Sequence, residues 1–344
     1  MRGFLATIGC SLIVSACGGG QTETQSEPTG TINVYSARHY DSDRLMYDMF
    51  EEETGIRVRF REMSSSQLFE TMKAEGDDSP ADIVIAADAG TLWKFQDAGL
   101  LQPVESETLN AAIPEKFREP DGHWFGLAKR ARIIVYDPER LSEEQIGEYG
   151  ALADDGLDGE LCMRSSSNIY NLSLMSELIE RWGEDKAGEW AKDVHDNFSR
   201  DPRGGDTTQI ESIAAGECSA ALINHYYWVR MATSRSEDRR ALAEATALAF
   251  PETGDGTHVN VTGAGMAANA PDPEAAQAFL EFLVTRNGQE LLVSETKEFP
   301  MVAGVPLPDG LDELPDFIES AVALNKLGEN QATAQTLYDR AGWN

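Results

Sequence analysis

Two long strand-like runs, at 125–136 and 258–267, constrain this chain more than anything else in it. Each is about twice the length of an ordinary strand, and each interrupts a regular strand–helix alternation. Before the first run, 31–37 reads as a strand and 43–53 as a helix with Leu45, Met46, Met49 and Phe50 on one face. Gly55 stops that helix and 56–61 alternates as a strand. Ser65 or Ser66 can cap a helix that runs through residue 74. The apolar run 81–87 has the continuity of a buried parallel strand, and a helix over 91–98 ends at Gly99. Between the two long runs the pattern resumes with strands at 160–165 and 219–224 and helices at 169–181 and 207–215. After the second run, 273–286 (proline in its first turn), 289–298 and the tail 315–340 read as helices. A chain of 344 residues is long enough for two domains. The pattern therefore predicts two α/β lobes joined by two extended crossings, with a helical C-terminal tail. One lobe takes 31–128 plus 262–300, and the other 129–261 plus 301–344.

The formal net charge of −31 argues against nucleic acid or an anionic membrane surface as a partner. A solvated acidic surface accounts for it, and a cation-binding role is only weakly supported. At the N-terminus Arg2, an apolar stretch from Phe4 to Val14 and the small residues Ser15-Ala16 before Cys17 have the layout of a secretory signal, 1–16. Val14-Ser-Ala-Cys17 resembles the lipobox of bacterial lipoproteins, which would make Cys17 the lipidated residue. Residues 17–30 are rich in Gly, Ser and Thr and read as a flexible tether. Of four cysteines, only Cys162 and Cys218 remain for the folded body. In an oxidising compartment they can pair, and two buried thiols are the alternative. CxxC and CxxH spacings, which would suit a thiolate metal site, are absent.

The residues with distinctive chemistry are phenols. Tyr226-Tyr227 follows the apolar strand Leu222-Ile-Asn-His, and His39-Tyr40 follows the strand at 31–37. Tyr170 follows the polar run Ser165-Ser-Ser-Asn168. Ligands of open α/β sheets bind beyond the carboxyl ends of the strands, which is where all five residues fall. Ionised phenol oxygens are hard ligands and suit a hard cation such as ferric iron. A free phenol loses its proton near pH 10, and a trivalent cation drives it off much earlier. Three phenolates balance the metal; four with a neutral imidazole leave one excess negative charge. Arg38, Arg132 and Arg164 are candidates to offset that excess, Arg132 foremost because it lies on a crossing strand. Singly, each phenol is also explained as an ordinary core or interface tyrosine. Their joint placement in both lobes favours a site. His225 should point away from the doublet, and His123, His195 and His258 read as structural. Trp93, Trp124 and Trp228 read as core or rim.

Two other functions compete. The runs Ser64-Ser-Ser66 and Ser165-Ser-Ser167 suit an oxyanion receptor, and a polyamine receptor would use acids and aromatic rings. A clamshell enzyme would need Cys162 or Cys218 as nucleophile beside a histidine. No Gly-x-Ser-x-Gly elbow, phosphate loop or His-Glu-x-x-His motif supports it.

The segments Val34-Tyr-Ser-Ala-Arg-His-Tyr40, Ala87-Asp-Ala-Gly-Thr-Leu-Trp93, Gly126-Leu-Ala-Lys-Arg-Ala-Arg132, Arg164-Ser-Ser-Ser-Asn-Ile-Tyr170 and Asn224-His-Tyr-Tyr227 occur in this order. With Leu327-Gly-Glu-Asn-Gln331 and Asp339-Arg-Ala-Gly-Trp343 they resemble the periplasmic ferric-iron-binding proteins of ABC transporters, the bacterial transferrin-like group. The similarity runs from Thr31 to the end and is nearest the tyrosine-rich branch that needs no obligatory synergistic anion. The resemblance implies a type II periplasmic-binding-protein clamshell and a non-enzymatic, monomeric receptor for Fe3+. It implies His39, Tyr40, Tyr170, Tyr226 and Tyr227 as iron ligands, with water or a small anion at the sixth position. It also implies a disulfide between Cys162 and Cys218. The partners it implies are an ABC permease with its ATPase, in a periplasmic setting, with a lipid anchor through Cys17.

Overall fold

The computed structural model describes residues 30–251 and 256–344. The signal, tether and lipidation expected at 1–29 lie outside the described residues.

The fold grows from three parallel strands. Gly30–Ser36 pairs on one side with Ile56–Glu62 and on the other with Ile83–Ala86. Ile83–Ala86 then meets the second crossing strand, Val259–Ala267, in antiparallel register, with Ile83 opposite Met266. That strand pairs antiparallel with the first crossing strand, Phe125–Tyr136, from Phe125↔Ala264 to Ala131↔Val259. A register shift falls between Gly126 and Ala128. From Arg132 onward the first crossing strand changes partner and pairs with Ala220–Asn224. Both crossing strands thus serve as the hinge.

The cores follow this switch. One buried cluster takes Ile32, Val34, Phe50, Leu92, Phe125, Ala128, Val261 and Phe279. Beyond Ala128 the strand's alternate faces feed two others: Ile134 and Tyr136 join Leu174, Leu178 and Trp190, whereas Ala131, Ile133 and Val135 join Ile210 and Ile223. The molecule is a two-lobed α/β clamshell. Met301, Leu324 and Leu327 bury in the first core, not the second. Leu314 and Phe317 pack against the second-lobe cluster of Ile210 and Ile223, Phe317 against the first core as well, and the last helix, Gln331–Ala341, packs on the second lobe through Ala334, Leu337 and Tyr338.

The tail differs from the expected continuous helix over 315–340. Helices form only at Asn325–Glu329 and Gln331–Ala341. The stretch before them is a strap whose backbone bonds are made elsewhere: Thr257 N–H donates to Ile318 C=O at 2.7 Å and Ser320 N–H to Thr257 C=O at 2.9 Å. The strand expected at 160–165 contracts to isolated bridges from Leu161 to Phe198 and Ala220. The two helices expected at 273–286 and 289–298 form at Pro273–Leu283 and Arg286–Ser294, the break falling earlier because Thr285 caps the second by accepting from Gly288 N–H. Among the described residues no helix is long and apolar enough to cross a membrane.

Candidate metal centre

The doublet owes its geometry to an immediate change of structure. The strand ends at Asn224 and the helix His225–Ala232 begins at the next residue. Tyr226 and Tyr227 thus sit in a first helical turn, where successive side chains are about 100° apart instead of on opposite faces. Their ring centroids lie 4.6 Å apart with planes inclined by 34°. His225, one step earlier, turns inward and is fully buried. Its Nδ1 accepts from Ala131 N–H and its Nε2 faces Lys297 C=O, each at 3.1 Å, so Nε2 carries the proton. Burial pushes its imidazolium value down to about 3. It braces the doublet against the hinge strand.

Tyr170 arrives from the other side. Asn168 caps the helix Ile169–Trp182 by accepting from Tyr170 N–H at 3.0 Å. The Tyr226 hydroxyl donates to the Tyr170 hydroxyl at 3.2 Å and accepts from Asn224 Nδ2 at 3.2 Å. Tyr170 and Tyr226 are thereby joined by a hydrogen bond, and Tyr227 adjoins them through its ring contact with Tyr226. Burial raises the Tyr170 and Tyr226 phenols above the ordinary range. The Tyr227 charge adds to this at both, and Tyr170 adds to it at Tyr226.

The first lobe presents Tyr40 at the N-cap of Asp41–Thr54, with its N–H bonded to the Asp43 carboxylate at 3.3 Å. Burial raises the Tyr40 phenol; Arg230 acts against that, and Glu298 and Tyr227 with it. Arg230 and Tyr227 belong to the second lobe, so Tyr40 faces the doublet within electrostatic reach. His39 is exposed and lies parallel to the Tyr40 ring at 5.7 Å. It enters the assembly through Tyr40, and no hydrogen bond described here ties it to the other three phenols.

Five guanidinium groups surround these rings. Arg230 lies 4.9 Å from the Tyr226 centroid and 4.7 Å from that of Tyr227. Arg130, Arg132 and Arg164 lie 5.3, 5.9 and 5.2 Å from that of Tyr170, and Arg38 lies 5.2 Å from that of Tyr40. Buried carboxylates hold most of them. Asp206 takes Arg132 and Arg164 at 2.7 Å each, and Asp43 takes Arg38 at 2.6 Å. Glu298 stands 3.6 Å from both Arg38 and Arg130 and accepts from Thr262 Oγ1 at 2.9 Å. The second crossing strand and the end of the first lobe thus meet at one buried charge.

Sequence reasoning missed Arg130, Arg230, Asp206 and Glu298. Two of them had a signal. Arg230 falls three and four residues beyond the doublet, on the same face of a helix, and Arg130 is two residues before Arg132 on the same strand face. Asp206 and Glu298 reach their partners only through long-range folding. Among the described residues no group of three or more His, Cys, Asp or Glu side chains could hold a metal ion. Cys162 and Cys218 are disulfide-bonded with Cα atoms 5.7 Å apart.

Two α/β lobes joined by two crossing strands, with phenols from both lobes near the junction, have the layout of an extracytoplasmic solute receptor. Residues 78–317 match the family of bacterial extracellular solute-binding proteins, and the chain belongs to that family. It is 40% identical to iron uptake protein A1 of Synechocystis sp. over 99% of this chain and 95% of that one. The FutA (IdiA) structure from Trichodesmium, in complex with iron and citrate, superposes with a TM-score of 0.88 and 42% identity, covering 92% of this chain and all of that one. Apo FutA2 from Synechocystis PCC6803 gives 0.87 and 40%, covering 91% of this chain and 99% of that one.

Proposed function

We propose that this protein captures ferric iron between its lobes and delivers it to an ABC permease driven by a cytoplasmic ATPase. The observation that carries this is the convergence of hydroxyls. Tyr170, Tyr226 and Tyr227 stand together on one lobe, and Tyr40 faces them from the other. His39, Tyr40, Tyr170, Tyr226 and Tyr227 are the proposed ligands, and water or a small anion takes the sixth position. The chemistry is proton exchange for metal. Burial raises the Tyr40, Tyr170 and Tyr226 phenols, so each of these that binds Fe3+ releases a proton. Four phenolates and a neutral imidazole leave one excess negative charge, which the adjacent guanidinium groups offset. That excess favours the ferric over the ferrous ion, and reduction or protonation as the lobes part releases the cargo.

The lobes divide at the partner switch near residues 128–131 and again near 261, with the last helix on the second lobe. The chain acts as a monomer in the periplasm, held by a lipid on Cys17 after removal of 1–16. The competing readings find less support. Ser64 is used as a helix cap toward Gln67, and Ser165 and Ser167 bond to each other at 2.9 Å. Both cysteines are consumed in one bond, which removes the thiol nucleophile an enzyme would need.

A visible spectrum with and without ferric citrate, read beside metal analysis, tests the proposal. Stoichiometric iron with an intense phenolate-to-iron band supports it. Bound iron without that band, or no bound iron, refutes it.

A further inference from the structure

Asp206 is fully buried at the first position of the helix Asp206–Ala214. The turn before it needs glycine: Gly204 has φ 69° and a Cβ there would lie 2.6 Å from Thr208. Gln209 locks that turn by donating to Arg203 C=O at 2.7 Å and Gly205 C=O at 3.1 Å. The helix N-terminus favours a carboxylate at this point. Three donors converge on it at 2.7 Å each: Arg164 Nη1 on Oδ1, and Arg132 Nη1 and Asn224 N–H on Oδ2.

These contacts lead to both halves of the second-lobe site. Asn224 carries one arm: its backbone is pinned by Asp206, its side chain bonds the Tyr226 hydroxyl at 3.2 Å, and the doublet follows it directly. Arg132 and Arg164 carry the other. Both guanidinium groups face the Tyr170 ring. Arg132 Nη2 also donates at 2.8 Å to Asn171, which follows Tyr170 and in turn bonds Arg164 C=O at 3.2 Å and Ser165 C=O at 3.1 Å. No other described carboxylate pairs with either arginine.

We infer that Asp206 is a positioning residue for iron binding, which sets Tyr170 against the Tyr226-Tyr227 doublet by anchoring Asn224, Arg132 and Arg164 to one fixed charge. This rests on the phenols being the iron ligands. Asp206→Asn keeps the shape, removes the charge and replaces one of the two acceptor oxygens by an NH2 donor, so either Arg164 or the Arg132–Asn224 pair loses its acceptor.

The test compares full-length wild type, Asp206→Asn and Asn197→Ala, each titrated with ferric citrate against a competing chelator. Asn197 is a buried second-lobe residue bonded to Leu152 C=O and Asp154 C=O at 3.0 and 2.9 Å, so its variant controls for lost stability. The expected result for Asp206→Asn is a roughly 10–100-fold loss of iron affinity, the scale of losing a partner that orients metal ligands. Its phenolate-to-iron band should also shift and weaken, while Asn197→Ala melts earlier but keeps wild-type affinity and band. Wild-type affinity and band in Asp206→Asn, at whatever melting temperature, overturn the inference. If Asp206→Asn does not fold, Asp206→Glu retains the charge and displaces all three anchors by one methylene; an unchanged band there overturns it equally. A wild type without the band would instead sink the assignment of the phenols, which separates the two failures.

Discussion

The hydroxyl of Tyr226 accepts from Asn224 and donates to Tyr170, so it is satisfied without a cation. Removing it leaves a cavity of one oxygen and an amide that loses one bond, which the fold tolerates. Tyr226→Phe and Tyr227→Phe should therefore keep the apo fold. Each should lower iron affinity by more than the ~10–100-fold that losing an outer partner costs a metal site. Chelator competition read beside circular dichroism checks this, and a variant that holds iron as tightly as wild type would remove that phenol from the ligand set. Proton traffic gives a second test. Tyr40, Tyr170 and Tyr226 are all raised above their ordinary value near 10 by burial, so all are protonated at neutral pH before iron arrives. Apparent iron affinity must then rise with pH and fall on acidification, with proton release on loading in weakly buffered solution. Affinity independent of pH between about 6 and 8 would contradict the exchange. In the apo protein a raised phenol favours the folded state fully below its ordinary value, and that contribution is lost as pH climbs through the raised one. Alkali should thus unfold the apo form first. The five proposed ligand positions could be singled out from the sequence because strand ends are where such sheets bind solutes. Their counter-charges were not, since Glu298 meets Arg38 across most of the chain and no local pattern encodes that distance.

At the scale of elements, the hinge strand Phe125–Tyr136 was read to its ends because an extended run of that length stands out even with Lys129, Arg130 and Arg132 inside it, and it is buried along nearly all of it. The strap before the last two helices was not, because its backbone is satisfied by Thr257 and the sequence between residues 315 and 323 carries no period that announces this. The helix Glu184–Asp196 also went unread, although Ala187, Trp190, Ala191 and Val194 mark its buried face. The disulfide has the clearest consequence here. It ties the bridge at Leu161 to the start of Ala220–Asn224, the strand that launches the doublet, across 56 residues of chain. Closing a loop of that length removes unfolded-state entropy worth about 4 kcal/mol in the chain-entropy model. Cys162→Ala with Cys218→Ala should lower the melting temperature by several degrees while the iron spectrum of the folded protein is retained, because no described hydrogen bond joins either sulfur to a phenol. A double variant that melts like wild type would assign the bond no stabilising role.

For the whole molecule the question is what favours closure before and after iron binds. Besides His225 with Lys297, a second contact spans the lobes without touching a phenol. Asp88, buried at the N-cap of Ala89–Asp97 in the first lobe, accepts from Ser173 Oγ on the second-lobe helix Ile169–Trp182 at 2.8 Å. It also holds Thr91 N–H at 3.1 Å, Asn260 Nδ2 at 2.8 Å and Arg130 Nη2 at 3.3 Å, the last two from the hinge strands. On the proposed lobe division Thr91 stays with Asp88 as the lobes part, Asn260 and Arg130 lie on the hinge strands, and Ser173 moves away. Ser173→Ala then removes an interaction that favours closure. A hydrogen bond to a charged group contributes about 1.5–3 kcal/mol, and a ligand that binds the closed form loses apparent affinity by the same free energy. The expected outcome is an iron affinity lower by about tenfold or somewhat more, carried by faster release. The phenolate-to-iron band should stay at its wild-type position, since no ligand moves. Small-angle scattering should show the apo variant more open than wild type and the iron-loaded forms alike. A shifted band would mean that Ser173 orients Tyr170 instead, three residues away on the same helix. Unchanged release would mean that the closed form is held by iron alone.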